Sequence, residues 1–261
     1  ELRAQQGTCS AECTTYQCYK GGPEKGEGQA TGGCPIYSHP AQLEENRDCV
    51  LCMTCLKACP HRSVEFNLRP PGIELWTTHT PRLYEVALLL LLLDAVFLHR
   101  LPELLDKLGL TLDLANFWVH GGLAIALLSL PALLPLAAQG ILHTVHQLAN
   151  TRQPRPFKEL AYGYLPLVLM GTLAHYLHLF LTEAGRVLPV SAATIGLSGV
   201  NLPVLVAHPA VIAFLQGTAL LLGALLAIAL TQKIARYPLR LLIPQHLAIL
   251  GLTAGLWWLV V

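Results

Sequence analysis

Residues 49–60 read CVLCMTCLKACP, which is Cys49-x2-Cys52-x2-Cys55-x3-Cys59 followed by Pro60. Gaps of two residues let three sulfurs from one turn of chain face a common centre, and the proline turns the backbone away after the fourth. Thiolates are soft, anionic ligands of the kind that the irons of a cubane cluster take. The competing reading is a zinc site built from two cysteine pairs. Three close cysteines and then Cys-Pro are not the usual paired zinc spacing.

Outward from this stretch the chain changes character. Of its 261 residues 53% are hydrophobic and 13% charged, and all eight cysteines fall before residue 60. From residue 83 onward Leu, Ala and Val dominate. A short, polar, cysteine-rich head is thus joined to a long apolar remainder. The net charge of +1 is spread along the chain and there is no basic, aromatic-rich surface, so nucleic acid is not an expected partner. Clustered thiols argue for a reducing compartment and for metal rather than disulfides.

The head carries a second cysteine group, Cys9-x3-Cys13-x4-Cys18, and after a long gap Cys34-Pro35. Together with residues 49–60 it resembles the bacterial-type two-cluster ferredoxins, in which the fourth cysteine of each run ligates the other cluster. The resemblance implies two 4Fe–4S clusters. One would be held by Cys9, Cys13, Cys18 and Cys59, the other by Cys49, Cys52, Cys55 and Cys34. Cys34-Pro35 and Cys59-Pro60 take matching places in the two halves. The first half departs from the family pattern: its gaps are longer, and KGGPEKGEGQATGG, residues 20–33, precedes Cys34. That insert is Gly-rich and polar, and is expected to be a surface loop. For Cys9, Cys13 and Cys18 the alternatives are a lone structural metal or an incomplete cluster. A two-cluster unit joined to hydrophobic spans further resembles the membrane-bound polyferredoxins, including the accessory ferredoxins of nitrate and nitrous-oxide respiration. The motif likeness covers residues 9–60; the spans behind it match in kind.

The expected fold is a small α+β two-cluster ferredoxin-like domain, residues 1–75, followed by an all-α transmembrane bundle of about five helices, residues 76–261. Val64, Phe66 and Leu68 alternate as a closing strand would, and Pro70-Pro71-Gly72 must break any helix. Trp76 suits either a membrane interface or packing against the head. A bilayer core takes about 20 apolar residues. Spans are expected near 82–101, 114–146, 160–181, 204–229 and 241–261. The second is too long for one straight crossing, and Pro131 and Pro135 predict a kink. Trp257 and Trp258 suit the far interface.

Five crossings place loops 149–159 (Arg152, Arg155, Lys158) and 231–240 (Lys233, Arg236, Arg240) on the side of the head. Loop 99–113, which mixes Arg100 and Lys107 with Glu103, Asp106 and Asp113, falls on the other side. So does loop 182–203, with Glu183 and Arg186. The positive-inside rule then makes the head side cytoplasmic, in an integral inner or thylakoid-type membrane.

Polar residues within spans are costly and point to partners or ligands. His175 and His178, at i and i+3, share a helix face. His120 on an antiparallel neighbour could reach their depth, so His120 with His175 or His178 could ligate a b-type haem. The alternative is hydrogen bonding between helices or contact with a quinone. His208 opens the fourth span in the same half of the bilayer. His143, His146 and His246 are expected as wet surface histidines or the fringe of a quinone site. Asp94 interrupts the first span and could pair with a histidine, serve a proton path, or bond to a neighbouring helix. Tyr162, Tyr164, Tyr176 and Trp118 read as packing and interface residues. No Ser-His-Asp set, phosphate-binding loop or dinucleotide fingerprint is present in suitable context.

Such clusters pass single electrons, so the resemblance implies a membrane-anchored electron-transfer protein within a larger complex. A soluble low-potential donor would feed it, and a quinone, a haem or a membrane partner would receive. Two alternatives come from other classes: an assembly or maturation factor that supplies electrons to a metalloenzyme, and a non-catalytic subunit that docks a larger oxidoreductase.

Overall fold

The computed structural model describes residues 2–22, 29–43, 49–66, 68, 70, 72–77, 79–150, 153–197, 202–204 and 206–261. Residues 23–28 of the polar insert, Pro71 and Arg152 lie outside them. The chain divides into two compact units, Glu1–His79 and Thr80–Val261.

In the first unit strand β1 (Leu2–Ala4) pairs antiparallel with β2 (Val64–Phe66), Leu2 opposite Phe66 and Ala4 opposite Val64. Leu2 and Val64 turn inward while Arg3 and Glu65 turn out, the alternation a half-buried strand requires. The ladder continues as Gln5 N–H donates to Ser63 O at 3.0 Å, so the start of the unit is fastened just beyond its last cysteine. Between the strands lie α1 (Gln6–Ala11), α2 (Gln17–Lys20), a 3-10 turn at Pro40–Gln42 and α3 (Thr54–Ala58). Helices this short have no stability of their own; α2 and α3 are held by packing on each other. They form a matched pair. Each follows a residue in the left-handed region, Tyr16 (φ 53°) or Met53 (φ 61°), and each carries a cysteine at its second position, Cys18 or Cys55. Beyond β2, Ile73 N–H donates to Pro70 O at 3.3 Å across Gly72, whose φ is +74°, and one turn of helix follows, α4 (Glu74–Thr77).

The second unit is all helix: α5 (Leu83–His99), α6 (Leu101–Lys107), α7 (Phe117–Leu127), α8 (Leu130–Leu148), α9 (Phe157–Leu160), α10 (Leu165–Glu183), α11 (Val187–Thr194), α12 (Pro209–Ala235) and α13 (Ile243–Val260). Among the described residues four helical runs are long and apolar enough to cross a membrane: Phe117–Leu148, Phe157–Thr194, Pro209–Ala235 and Leu239–Val260. The remaining expected span, α5, has 17 residues. At 1.5 Å per residue it reaches about 26 Å, against about 30 Å of hydrocarbon. Segments 99–113 and 182–203, expected as loops, contain α6 and α11 instead. Pro102 sits in the first turn of α6, where its missing N–H is no loss. The long second run breaks at Leu128–Ser129, with Pro131 in the first turn of α8; Pro135 remains inside that helix and is buried.

α10 and α12 form the largest interface of the bundle, with α13, α8 and α5 around them. Leu93 and Val96 of α5, Leu167 and Ala174 of α10, Leu220 and Ala227 of α12, and Ile249 and Leu256 of α13 make its core. Close approach depends on missing side chains: a Cβ on Gly223 would stand 2.7 Å from Met170 Cβ. The outward faces carry exposed Leu88, Leu169, Phe214, Leu225 and Leu247, a surface suited to acyl chains rather than water. One polar chain runs through the core. The Tyr164 hydroxyl donates to Gln245 Oε1, Gln245 Nε2 to Gln139 Oε1 at 3.1 Å, and Gln139 Nε2 to Arg155 O at 3.0 Å.

Candidate metal centre

Eight free cysteines lie in the first unit, and the fold sorts them into two hollows. Cys9, Cys13, Cys18 and Cys59 line one. Cys34, Cys49, Cys52 and Cys55 line the other. These are the two crossed sets that the ferredoxin resemblance implies. Local geometry explains the crossing. Cys9 lies on α1 and Cys18 on α2, and the β1–β2 ladder brings the chain after Cys59 back beside them. Cys34 is carried to the second hollow by a tight turn: its N–H donates to Tyr19 O at 3.1 Å, just after Gly33 at φ +80°.

The Cys18 thiol is 6% exposed, and burial, then the charges of Cys59, Cys13 and Cys9 and last that of Cys55 from the other set, push its pKa up to about 12. Burial also pushes Cys55 up, helped by Cys49 and Cys52. Cys52 is exposed and goes the other way, because the Thr54 hydroxyl and amide hydrogen-bond its sulfur. Thiolates crowded this way repel one another unless a cation shares them. Among the described residues no three or more His, Cys, Asp or Glu side chains are arranged to hold a single metal ion.

The walls of the hollows differ. Gln17, His39, His61 and Ser63 contribute to the first. Cys9 Sγ and Ser63 Oγ are 3.2 Å apart, and Ser63 is 2% exposed. The second is walled by Leu2, Ile36, Pro40, Leu43 and Val50, with Ser38 as its polar side chain besides the cysteines.

In the helical unit the histidines are distributed otherwise than the haem expectation needs. His120 lies exposed on α7, which packs on α5 and α8. His178 is exposed on α10. His175 accepts a hydrogen bond at Nδ1 from Arg100 Nε, 3.2 Å away, and its ring stacks on His99 at 5.4 Å and 22°. The imidazole facing His175 is therefore His99, on α5. Its place at an exposed helix end gave no periodic signal, and only its being a second histidine near the same depth pointed to it. His208 caps α12, its Nδ1 accepting from Ala210 N–H at 3.2 Å. His146, expected as a wet surface residue, is instead 2% exposed, edge-on to Tyr237 at 5.0 Å, because α8 turns that face toward residue 237. Asp94 is 0% exposed, and neither carboxylate oxygen has a hydrogen-bond partner, so no histidine pairs with it among the described residues.

No protein family, curated protein or solved structure matches this chain.

Proposed function

We propose that this is a membrane-anchored electron-transfer protein whose first unit holds two 4Fe–4S clusters. The observation that carries the proposal is the sorting of eight cysteines into two hollows of four, in the sets the ferredoxin resemblance assigns. A cubane is a cage, so its four ligands stand around a hollow rather than converge on one point. Thiolates are the donors it takes, and when bound it supplies one-electron redox chemistry. Four cysteines complete each cage and leave no iron open to substrate. The chain's own residues then position, insulate and tune the carriers. The apolar helices support a membrane location. Within this proposal the first unit faces the cytoplasm, a soluble donor reduces it, and a quinone or a membrane partner receives the electrons.

The test is metal and sulfide analysis of anaerobically purified protein, with EPR after dithionite reduction. About eight irons and eight sulfides per chain are expected, with interacting cubane signals. Zinc, or no metal, overturns the proposal. Sharp optical bands of a low-spin haem in the same sample would identify the membrane acceptor.

A further inference from the structure

Resting on the reading above, we infer that the two cluster sites are unequal in potential, the Cys9/Cys13/Cys18/Cys59 site lying above the Cys34/Cys49/Cys52/Cys55 site, so that electrons enter the chain at the second and leave from the first. A cluster's potential rises with hydrogen bonds to its sulfurs and falls in dry, apolar surroundings that favour the less charged oxidised form. The walls of the two hollows divide along that line.

At the first site Thr8, Gln17, His39, His61 and Ser63 stand in the wall beside the cysteines. Ser63, 2% exposed, places Oγ 3.2 Å from Cys9 Sγ. A thiolate bound to iron can only accept, so the hydroxyl is the donor. Gln17 is 7% exposed and its Oε1 has no hydrogen-bond partner among the described residues. A buried carboxamide in a hollow full of sulfur finds its complement as a donor, through its NH2. His39 accepts at Nδ1 from Ala41 N–H, 3.1 Å away. Its proton therefore sits on Nε2, and the ring is one wall of the hollow.

The second site is walled by Leu2, Ile36, Pro40, Leu43 and Val50, of which Ile36 and Val50 are exposed, with Ser38 as its polar side chain. Backbone donors exist there, such as Leu51 N–H to Cys49 Sγ at 3.4 Å. Cys52 is exposed at its rim, and water there acts in the opposite sense. Donors fixed within a buried wall outweigh mobile rim water, because the local dielectric is lower. One electron from a low-potential one-electron donor reduces the second site. Its transfer to the first oxidises the second and reduces the first, with no other reactant required.

Redox titration of the full chain, followed by EPR, tests this. Iron and sulfide loading measured on the same sample tests the cluster reading separately. Two waves are expected. Ser63→Ala should lower the upper wave by about tenfold in the equilibrium constant, which is 59 mV for one electron. It should leave the lower wave in place, and Ser63→Thr should keep the original value. Gln17→Leu, read the same way, covers the case in which Ser63→Ala does not fold. Fully loaded protein with coincident waves, or with the lower wave moving in these variants, overturns the inference while leaving the clusters intact.

Discussion

Single residues decide whether the cysteines can gather. Gly33 has φ +80°, and a Cβ there would stand 2.5 Å from Tyr19 O and 2.6 Å from Gly21 N. The left-handed conformation alone costs an L-residue roughly 1–2 kcal/mol. The overlap is with backbone, which cannot swing aside as a side chain can. Gly33→Ala should therefore shift Cys34 away from its hollow and cut bound iron to about half, since one of two clusters loses a ligand. Gly32 has open space around its Cβ position, so Gly32→Ala should keep full loading. Iron per chain in the two variants is the measurement, and equal loading would show that the turn does not control Cys34. The ligand-like spacing of Cys49–Cys59 was legible in the sequence, whereas the crossing of Cys34 and Cys59 between sets came from the ferredoxin resemblance, not from spacing. The polar wall of one hollow was not legible. Gln17, His39 and Ser63 come together only when β1–β2 pairing and the turn at residues 40–42 are in place.

At the scale of elements, the bundle is fixed in register by polar contacts between helices. Tyr164, Gln245 and Gln139 belong to three different segments and are linked through buried hydrogen bonds. Each group would be costly without its partner, although interhelical bonds in membranes average well under 1 kcal/mol. Gln245→Leu orphans the Gln139 carbonyl and leaves the Tyr164 hydroxyl only the residue 245 carbonyl at 3.4 Å, and should lower stability by roughly 1–3 kcal/mol. Adding Tyr164→Phe removes that poorly satisfied hydroxyl and should recover part of that loss. Thermal unfolding in detergent measures both steps, and a double variant less stable than the single would disprove the coupling. Helix existence was legible from apolar runs, and Pro131 marked the break in the second run to within one turn. Helix ends were not legible. α6 and α11 lie in segments that the span count left as loops, and Pro102 in the first turn of α6 is compatible with helix. Likewise Asp94 stood out as a charge in an apolar run, but its lack of a partner depends on packing that the sequence does not express.

At the scale of the whole molecule, α5 is short for a crossing beside the four longer runs. Its first residues are tied to one end of the bundle: Arg82 N–H donates to the Tyr162 hydroxyl at 3.2 Å, and that hydroxyl bonds Glu85. Its last residues are tied farther along α10, where Arg100 donates to His175. Just beyond, Lys107 of α6 bonds the Trp258 carbonyl near the end of α13 and lies over the indole ring. The helix thus runs alongside its neighbours, and 17 residues can cross if the bilayer thins by a few ångströms, a modest cost. Arg155 and Glu159 meet Arg236 and Tyr237 around one polar hollow, so the two Lys/Arg-rich loops share an end of the bundle. In the proposed topology, which follows the positive-inside rule, that end is the cytoplasmic one. Five crossings then put the loop at residues 153–156 and the last residue, Val261, on opposite faces. A fluorescent protein inserted in that loop should fluoresce, and alkaline phosphatase fused after Val261 should be active. The same argument puts Thr80, just before α5, on the cytoplasmic side. A phosphatase fused there should therefore be silent. Activity at Thr80 with the other two results unchanged would mean that α5 lies along the bundle without crossing, and that the cysteine-rich unit faces away from the cytoplasm.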